Sequence, residues 1–314
     1  MEKAKVIVIG GPTASGKTKL AIELAKRING EIVSADSMQI YKEMNIGTAK
    51  PDKEEMQGIK HYLIDFLKPD ERYSVADYKR DAKNAIREIL DKGKNPIVVG
   101  GTGLYIDSLI YEIDYPEIEI DLNYRKELEK RVQENGLEEL YEEAKKIDKT
   151  AMEKISINDE KRILRVLEIY HQTGKTKTEL EKNSKKDPEF DYKMFAINMN
   201  REILYDRINK RVDIMIEKGL IEEVEKIYKR YKKFPTSMQA LGYKEAVEYL
   251  EKKLTKEEMI EKIKQESRRY AKRQLTWFRK NKQTVWLDGQ DDLEQNISII
   301  LEEIKWNKKR KTRI

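Results

Sequence analysis

The apolar positions of this chain follow two periods. Near the N-terminus, Val6-Ile7-Val8-Ile9 is an unbroken apolar run of the kind a strand buried on both faces requires. Beyond it, Leu20, Ala21, Leu24, Ala25 and Ile28 recur at helical spacing, and Gly30 stands where a left-handed C-terminal cap is expected. Two more short apolar runs follow. Ile32-Val33-Ser34-Ala35 ends at Asp36, and Pro96-Ile97-Val98-Val99 runs into Gly100-Gly101-Thr102-Gly103. Strands alternating with helices predict an α/β protein with a parallel sheet, whose ligands gather beyond the carboxyl ends of the strands. Asp36 and Thr102 therefore belong beside the turn that follows the first strand.

The pattern changes between about Tyr115 and Asp191, where the chain becomes Lys/Glu-rich with few glycines. Leu128, Val132, Leu140, Ala144 and Ile147 predict one or two amphipathic helices interrupted near Asn135-Gly136. A further helix is expected to start at the cap Asn158, to bury Ile163, Leu167 and Tyr170, and to stop by Gly174. Pro116 and Pro188 punctuate the ends of the block, and core-like strand sequence resumes at Met194-Phe195-Ala196-Ile197. The expected organisation is a core of residues 1–114 and 196–314 carrying C-terminal basic helices, with an all-helical insertion at residues 115–195. No internal repeat signals a solenoid.

The turn after the first strand carries the chemistry. Gly11-Pro12-Thr13-Ala14-Ser15-Gly16-Lys17-Thr18 is a complete G-x-x-x-x-G-K-[ST] phosphate loop between a strand and a helix. Backbone N–H groups of such a turn converge on anionic oxygens, Lys17 adds a point charge, and the helix that begins there contributes the positive end of its dipole. The Thr18 hydroxyl is suited to a divalent cation, Mg2+, bridging the same phosphates. A di- or triphosphate is the expected ligand.

Length, at 314 residues, suffices for one α/β core and a smaller unit. No stretch approaches the roughly 18 to 20 apolar residues of a membrane span, and Met1-Glu2-Lys3 runs straight into the first strand, so a soluble, cytoplasmic protein without a cleaved leader is expected. Cysteine is absent, which excludes disulfides, thiolate zinc sites and cysteine nucleophiles. With only His61 and His171, the chemistry falls to carboxylates, hydroxyls, lysines and arginines.

Charged residues are 39% of the chain yet leave a net charge of only +6, so distribution matters more than the total. From Lys262 to Lys282, Glu266 is the only acid among Lys262, Lys264, Arg268, Arg269, Lys272, Arg273, Arg279, Lys280 and Lys282. On a helix Lys262, Arg269, Arg273 and Lys280 align, with Arg268, Lys272 and Arg279 beside them, while Ala271, Leu275 and Phe278 turn inward. A one-sided basic helix with Tyr270 and Trp277 is the expected footprint of a nucleic-acid backbone contact, a solvated face being the alternative. The basic tail Lys308-Lys309-Arg310-Lys311-Thr312-Arg313 adds to the positive field. On the Asn158 helix, Lys161, Arg162 and Arg165 lie away from the buried side, available to a polyanion or to solvent.

Three function classes remain open on these grounds. The strand at Ile97 to Val99 lacks the terminal acid of an ATP hydrolase. Asp36 could serve as base in an ATP-binding metabolite or nucleotide kinase. A bare RNA-binding module is the third possibility.

The wider set of motifs adds a resemblance. GPTASGKT at Gly11 to Thr18, SADSMQIY at Ser34 to Tyr41, IGTAKP at Ile46 to Pro51, HYLID at His61 to Asp65, YSVADY at Tyr73 to Tyr78, GGTGLY at Gly100 to Tyr105, ALGYKE at Ala240 to Glu245 and RYAKRQLTWFRK at Arg269 to Lys280 resemble tRNA dimethylallyltransferases, in order along nearly the whole chain. The resemblance implies a P-loop NTPase-like core whose loop holds the diphosphate of dimethylallyl diphosphate rather than a nucleotide. It also implies a helical insertion gripping the anticodon stem-loop, and transfer of the prenyl group to N6 of adenine 37 with release of diphosphate. Asp36 would be the base, Lys17 the stabiliser of the leaving group, and Thr102 the residue that helps hold the adenine.

Arg207 and Arg211, one turn apart, suit a second side of the diphosphate, with helix-surface pairing to Asp206 or Asp213 as the alternative. Ser37, Met38, Gln39, Arg125, the stretch from Lys161 through Arg162 to Arg165, and Gln239 with Gly242, Tyr243 and Lys244 look like the family's anticodon-loop contacts. Arg269, Arg273 and Lys280 would meet the RNA backbone. The chain departs from the family where Lys161-Arg162 replaces an expected Gln-Arg pair, a change that phosphate contact tolerates better than base readout. Eukaryotic relatives' zinc finger is absent, so no zinc is expected.

Overall fold

The computed structural model describes residues 3–113, 121–182, 184, 186–234 and 236–305. Pro116 and the basic tail from Lys308 to Arg313 lie outside them, so the expectations attached to those residues have no structural counterpart here. The first half of the core runs β1 (Lys5–Gly10), α1 (Lys17–Ile28), β2 (Gly30–Ser34), β3 (His61–Tyr62), α2 (Val75–Asp91), β4 (Asn95–Gly100) and α3 (Gly103–Ile110). The helices α4 (Leu122–Asn135), α5 (Leu137–Ile147), α6 (Lys149–Met152), α7 (Glu160–Thr173) and α8 (Lys177–Lys182) follow. The core then resumes with β5 (Asp191–Asn198), α9 (Arg201–Glu217), α10 (Leu220–Arg230), a short 3-10 turn at Ser237–Gln239, α11 (Tyr243–Leu250), α12 (Lys256–Phe278), β6 (Val285–Asp288) and α13 (Leu293–Glu303).

All six strands are parallel, in the order β3-β2-β4-β1-β5-β6. Because β1 is central and flanked by β4 and β5, both of its faces must be covered. Val6 and Val8 enter one hydrophobic cluster with Ala82, Ile86 and Leu109 of α2 and α3. Ile7 and Ile9 enter another with Leu20, Leu24 and Ile28 of α1 and Ile300 of α13. Each such side chain, taken fully from water, contributes about 1.5–3 kcal/mol. This two-sided burial is why the strand reads as a solid apolar run. It also brings the carboxyl ends of β1, β2 and β4 together, with Gly10, Ser34 and Gly100 at the same edge.

Four local expectations need correction. The left-handed cap of α1 is Asn29 (φ 53°), whose N–H donates to the Ala25 carbonyl, and Gly30 is instead the first residue of β2. Asparagine tolerates that conformation better than most side chains. Helix α7 is capped by Asp159, whose carboxylate accepts from the Arg162 N–H, and not by Asn158. Tyr170 is 43% exposed, because Val166 and Ile169 occupy the inner face. The strand expected from Met194 begins at Asp191, opposite Lys5 of β1, so core structure starts earlier than residue 196.

The chain divides into two compact units, residues 1–110 with 189–314, and residues 111–188. The second is all helical around Leu128, Leu140, Ala144, Met152, Ile163 and Leu167. Inside it, Arg125 donates to the buried Glu168 (Nη1 to Oε1, 2.7 Å) and to Glu129 (3.1 Å), tying α4 to α7. Arg165 also reaches Glu168 at 3.5 Å. Asp148 caps α6 through the Ala151 N–H and accepts two more bonds from Thr178. No described helix is long and apolar enough to cross a membrane.

Candidate active site

The phosphate loop gets its shape from three local features. Gly11 and Gly16 adopt positive φ, as does Ala14 at φ 63°. Gly16 is the left-handed N-cap of α1, without a side-chain cap and without an acid in the first turn. The first N–H groups of the helix are thus left for an external anion. Lys17 donates to the Pro12 carbonyl at 3.2 Å.

Asp36 lies two residues beyond β2. Its Oδ1 accepts from the Met38 N–H (2.9 Å) and the Gln39 N–H (3.2 Å), which fixes the carboxylate at the strand end with Oδ2 outside both bonds. Thr102 follows β4. Its hydroxyl accepts from the Ser37 N–H (3.1 Å) and lies 3.3 Å from the Ser37 hydroxyl, and its own N–H donates to the Ala35 carbonyl (3.1 Å). A Cβ on Gly100 would stand 2.1 Å from the Ala35 carbonyl oxygen, so glycine is required there for the two strand ends to approach.

The phosphate loop, Asp36 and Gly100 line one cavity of about 370 Å³, while Thr102 stands behind Ser37 and is not part of its lining. Thr13, Lys17, Thr18, Asp36 and Arg211 form its polar end, and Val212, Met215, Ala240, Leu241 and Ile263 provide an apolar wall. Burial, with Arg211 next in effect, lowers the Lys17 ammonium from 10.5 to about 8, against a smaller upward pull from Asp36. Burial also lowers the Arg211 guanidinium, and its buried Nε has no hydrogen-bond partner among the described residues. Two partly desolvated cations facing one space make a strong anion site. Arg207 differs: it is exposed and does not line the cavity. Neither arginine takes the suggested surface acids, since Asp206 pairs with Lys210 and Asp213 with Lys264.

Helix α12 lines the site with Gln274, which the sequence did not single out, and with Tyr270, expected on an RNA-facing surface and found in the cavity instead. Gln274 accepts from the Thr13 N–H and donates to the Gly101 carbonyl, both at 2.9 Å. Tyr270 lines the cavity; burial, then the Asp36 charge, push its phenol up to about 12. Both lie in the RYAKRQLTWFRK stretch, so their neighbourhood was visible but not their inward direction. The 46–49 turn supplies Gly47, Thr48 and Ala49, tied down by the Gln39 amide donating to the Thr48 and Ala49 carbonyls.

The basic helix is less free than its charge pattern suggests. Lys262 pairs with Glu248, Lys264 with Asp213, and Arg268 with Glu261 and Asn209, so these three serve packing between helices of the core. Arg269 pairs only with Glu266 one turn away. Lys272, Arg273, Arg279 and Lys280 are exposed, Arg273 beside the Tyr270 ring and Lys280 over Trp277.

Other expected contacts divide in the same way. Gln239 and Lys244 are exposed and Gly242 is buried. Tyr243 is 0% exposed, and its hydroxyl donates to Glu223, which accepts from the Asn45, Ile46 and Gly47 N–H groups. It shapes the 46–49 turn and has no surface to offer a ligand. Arg125 is likewise committed to Glu168. In the helical unit, Lys161 is exposed and Arg162 is 67% exposed with a loose pair to Asp159.

A phosphate loop at the central strand of a parallel sheet, opening beside a strand-end carboxylate, defines a P-loop NTPase-like protein. Residues 39–281 match the family model described as IPP transferase. The chain is 54% identical over 297 residues to the tRNA dimethylallyltransferase of Acetivibrio thermocellus, covering 94% of this chain and 95% of that one. It is 46% identical to that of Bacillus cereus, covering 99% and 98%. Among solved structures it is similar to the full-length tRNA isopentenylpyrophosphate transferase of Bacillus halodurans (TM-score 0.73, 44% identity, 96% of each chain). It is also similar to a eukaryotic dimethylallyltransferase acting on tRNA (TM-score 0.81, 32% identity, 96% of this chain and 80% of that one). The chain belongs to the tRNA dimethylallyltransferase family and is a transferase.

Proposed function

We propose that this protein transfers a dimethylallyl group from dimethylallyl diphosphate to N6 of adenine 37 in a tRNA anticodon loop. The observation that carries this reading is the single cavity in which Lys17 and Arg211 face Asp36 beside an apolar wall. A diphosphate suits the cationic end, and a five-carbon tail suits the wall.

An adenine amine is a weak nucleophile because its lone pair is delocalised into the ring. As its N6 bonds to the allylic carbon, the C–O bond to diphosphate breaks and its electron pair leaves with the diphosphate. The amine proton passes to Asp36, whose fixed Oδ1 orients the carboxylate. The loop N–H groups, Lys17 and Arg211 stabilise the charge that develops on the departing diphosphate. Thr102, anchored to Ser37, would hold the adenine near Asp36. Thr18 lines the cavity beside Lys17, and its hydroxyl with diphosphate oxygens is the hard donor set that Mg2+ takes. No cluster of three metal-ligating side chains exists among the described residues, so the substrate would supply most of the coordination. When bound, Mg2+ would neutralise charge on the leaving group.

The exposed cations Lys272 and Arg273 of α12, Arg279 and Lys280 just beyond its end, and Lys161 and Arg162 of α7, are the proposed contacts to RNA phosphate. The test is transfer of labelled dimethylallyl from its diphosphate to tRNA, run beside ATP as the only donor. Label in tRNA without ATP consumption is expected. Consumption of ATP with no prenyl transfer would favour the kinase reading.

A further inference from the structure

We infer that Gln274 is a positioning residue that sets the distance between the two halves of the active site. The inference rests on the transfer reading above for its kinetic consequence, and on geometry alone for the bridge itself. One end of its carboxamide accepts from the Thr13 N–H in the diphosphate loop (2.9 Å). The other end donates to the carbonyl of Gly101 (2.9 Å), the residue before Thr102. Donor-side loop and acceptor-side turn are thus held by opposite ends of one rigid, planar group.

The side chain is 6% exposed, so water cannot take over either bond. Gly101 is shaped for it, since a Cβ there would stand 2.1 Å from the Gln274 Nε2. Only a side chain with an acceptor and a donor on adjacent atoms, at glutamine's reach, satisfies both partners. Glutamate keeps the acceptor and loses the donor; methionine keeps the volume and loses both. Helix α12 is itself fixed to the same region by Trp277, which donates to Asp107 of α3 (2.9 Å) and packs on Gly103. The bridge therefore starts from an anchored helix and aligns Thr13 with Thr102, whose substrates must meet within bonding distance. A misplacement of about 1 Å in such an alignment can cost on the order of 10² in rate.

The experiment compares the parent protein with Gln274→Met and Gln274→Glu. Transfer is measured at saturating tRNA and dimethylallyl diphosphate, and affinities for inorganic pyrophosphate and for tRNA are measured separately. In both variants kcat is expected to fall about 10- to 100-fold. Both dissociation constants should stay within about threefold, because the two bonds of the Gln274 carboxamide go to the protein backbone and Lys17, Arg211 and Asp36 remain in place. A kcat within threefold of the parent in both variants would overturn the role. So would a tenfold weakening of both affinities, which marks a site that has collapsed as a whole. Amide hydrogen exchange at residues 11–16 and 100–103 gives a second readout, faster in each variant if the bridge holds these segments and unchanged if it does not. Should the parent show no transfer, the proposed function fails, and exchange alone decides on the bridge.

Discussion

Lys17 sits at the polar end of the cavity with a pKa of about 8, mainly through burial and then through Arg211. A lysine lowered from 10.5 is charged in the free protein below about pH 8 and neutral above it, so an anionic donor that needs the ammonium must recruit a proton at higher pH. Affinity for dimethylallyl diphosphate should weaken by up to about tenfold per unit above pH 8, with proton uptake visible by calorimetry in two buffers. Lys17→Met should bind weakly at every pH and lose that slope; a flat profile in the parent would contradict the assignment. Asp36→Asn should lower the transfer rate about 10² to 10⁴ fold, the range for a positioned base, and a loss below tenfold would remove Asp36 from that role. Both residues were legible in the sequence because each stands at a strand end, where a parallel sheet gathers its ligands. Arg211 was legible as half of a pair, but its inward direction and the exposure of Arg207 depend on how α9 rotates against Ile263 and Ala271 of α12, which spacing alone does not settle.

At the scale of elements, α12 carries two kinds of cation on one helix. Its inner side buries Ala271, Gln274 and Phe278, its outer side presents Lys272 and Arg273, and the exposed Arg279 and Lys280 follow its last residue. Neutralising Arg273, Arg279 and Lys280 should reduce the slope of log tRNA affinity against log salt by about 0.7 to 0.9 for each phosphate that no longer meets a cation. Arg268→Gln should leave the slope unchanged and lower the melting temperature instead, because that guanidinium joins Asn209 and Glu261. An equal slope for parent and triple variant would retire the outer face as an RNA-binding surface. The period of this helix could be read from apolar positions, but not which cations were already paired, because Glu248, Asp213 and Asn209 belong to other elements. Helix ends show the same limit. Asn29 rather than Gly30, and Asp159 rather than Asn158, cap α1 and α7, since neighbouring residues of similar capping chemistry differ only once the chain is packed.

For the molecule as a whole, the alternation of strands and helices was enough to anticipate a parallel core interrupted by helices, because buried strands and amphipathic helices leave different apolar periods. The strand order and the start of β5 at Asp191 were not readable, since Asp191, Tyr192 and Lys193 lack the apolar run that marks its second half. Arg125 shows how a unit's own stability competes with function for a charged residue. Removing it would leave Glu168, 4% exposed, with only the distant Arg165, so Arg125→Ala should destabilise the helical unit by about 3 kcal/mol and hasten its proteolysis. Weakened tRNA binding at unchanged proteolytic resistance would instead make Arg125 an RNA-binding residue. In the proposed reaction one cavity joins a bound diphosphate to an adenine amine through Asp36. Its most direct test is a pair of anticodon stem-loops differing only at position 37, incubated with dimethylallyl diphosphate and Mg2+, with diphosphate release counted and the RNA mapped by mass spectrometry. One diphosphate is expected per dimethylallyl group found on N6 of adenine 37, and neither product when guanine replaces that adenine. Equal diphosphate release from both stem-loops, or prenyl groups at other positions, would contradict it.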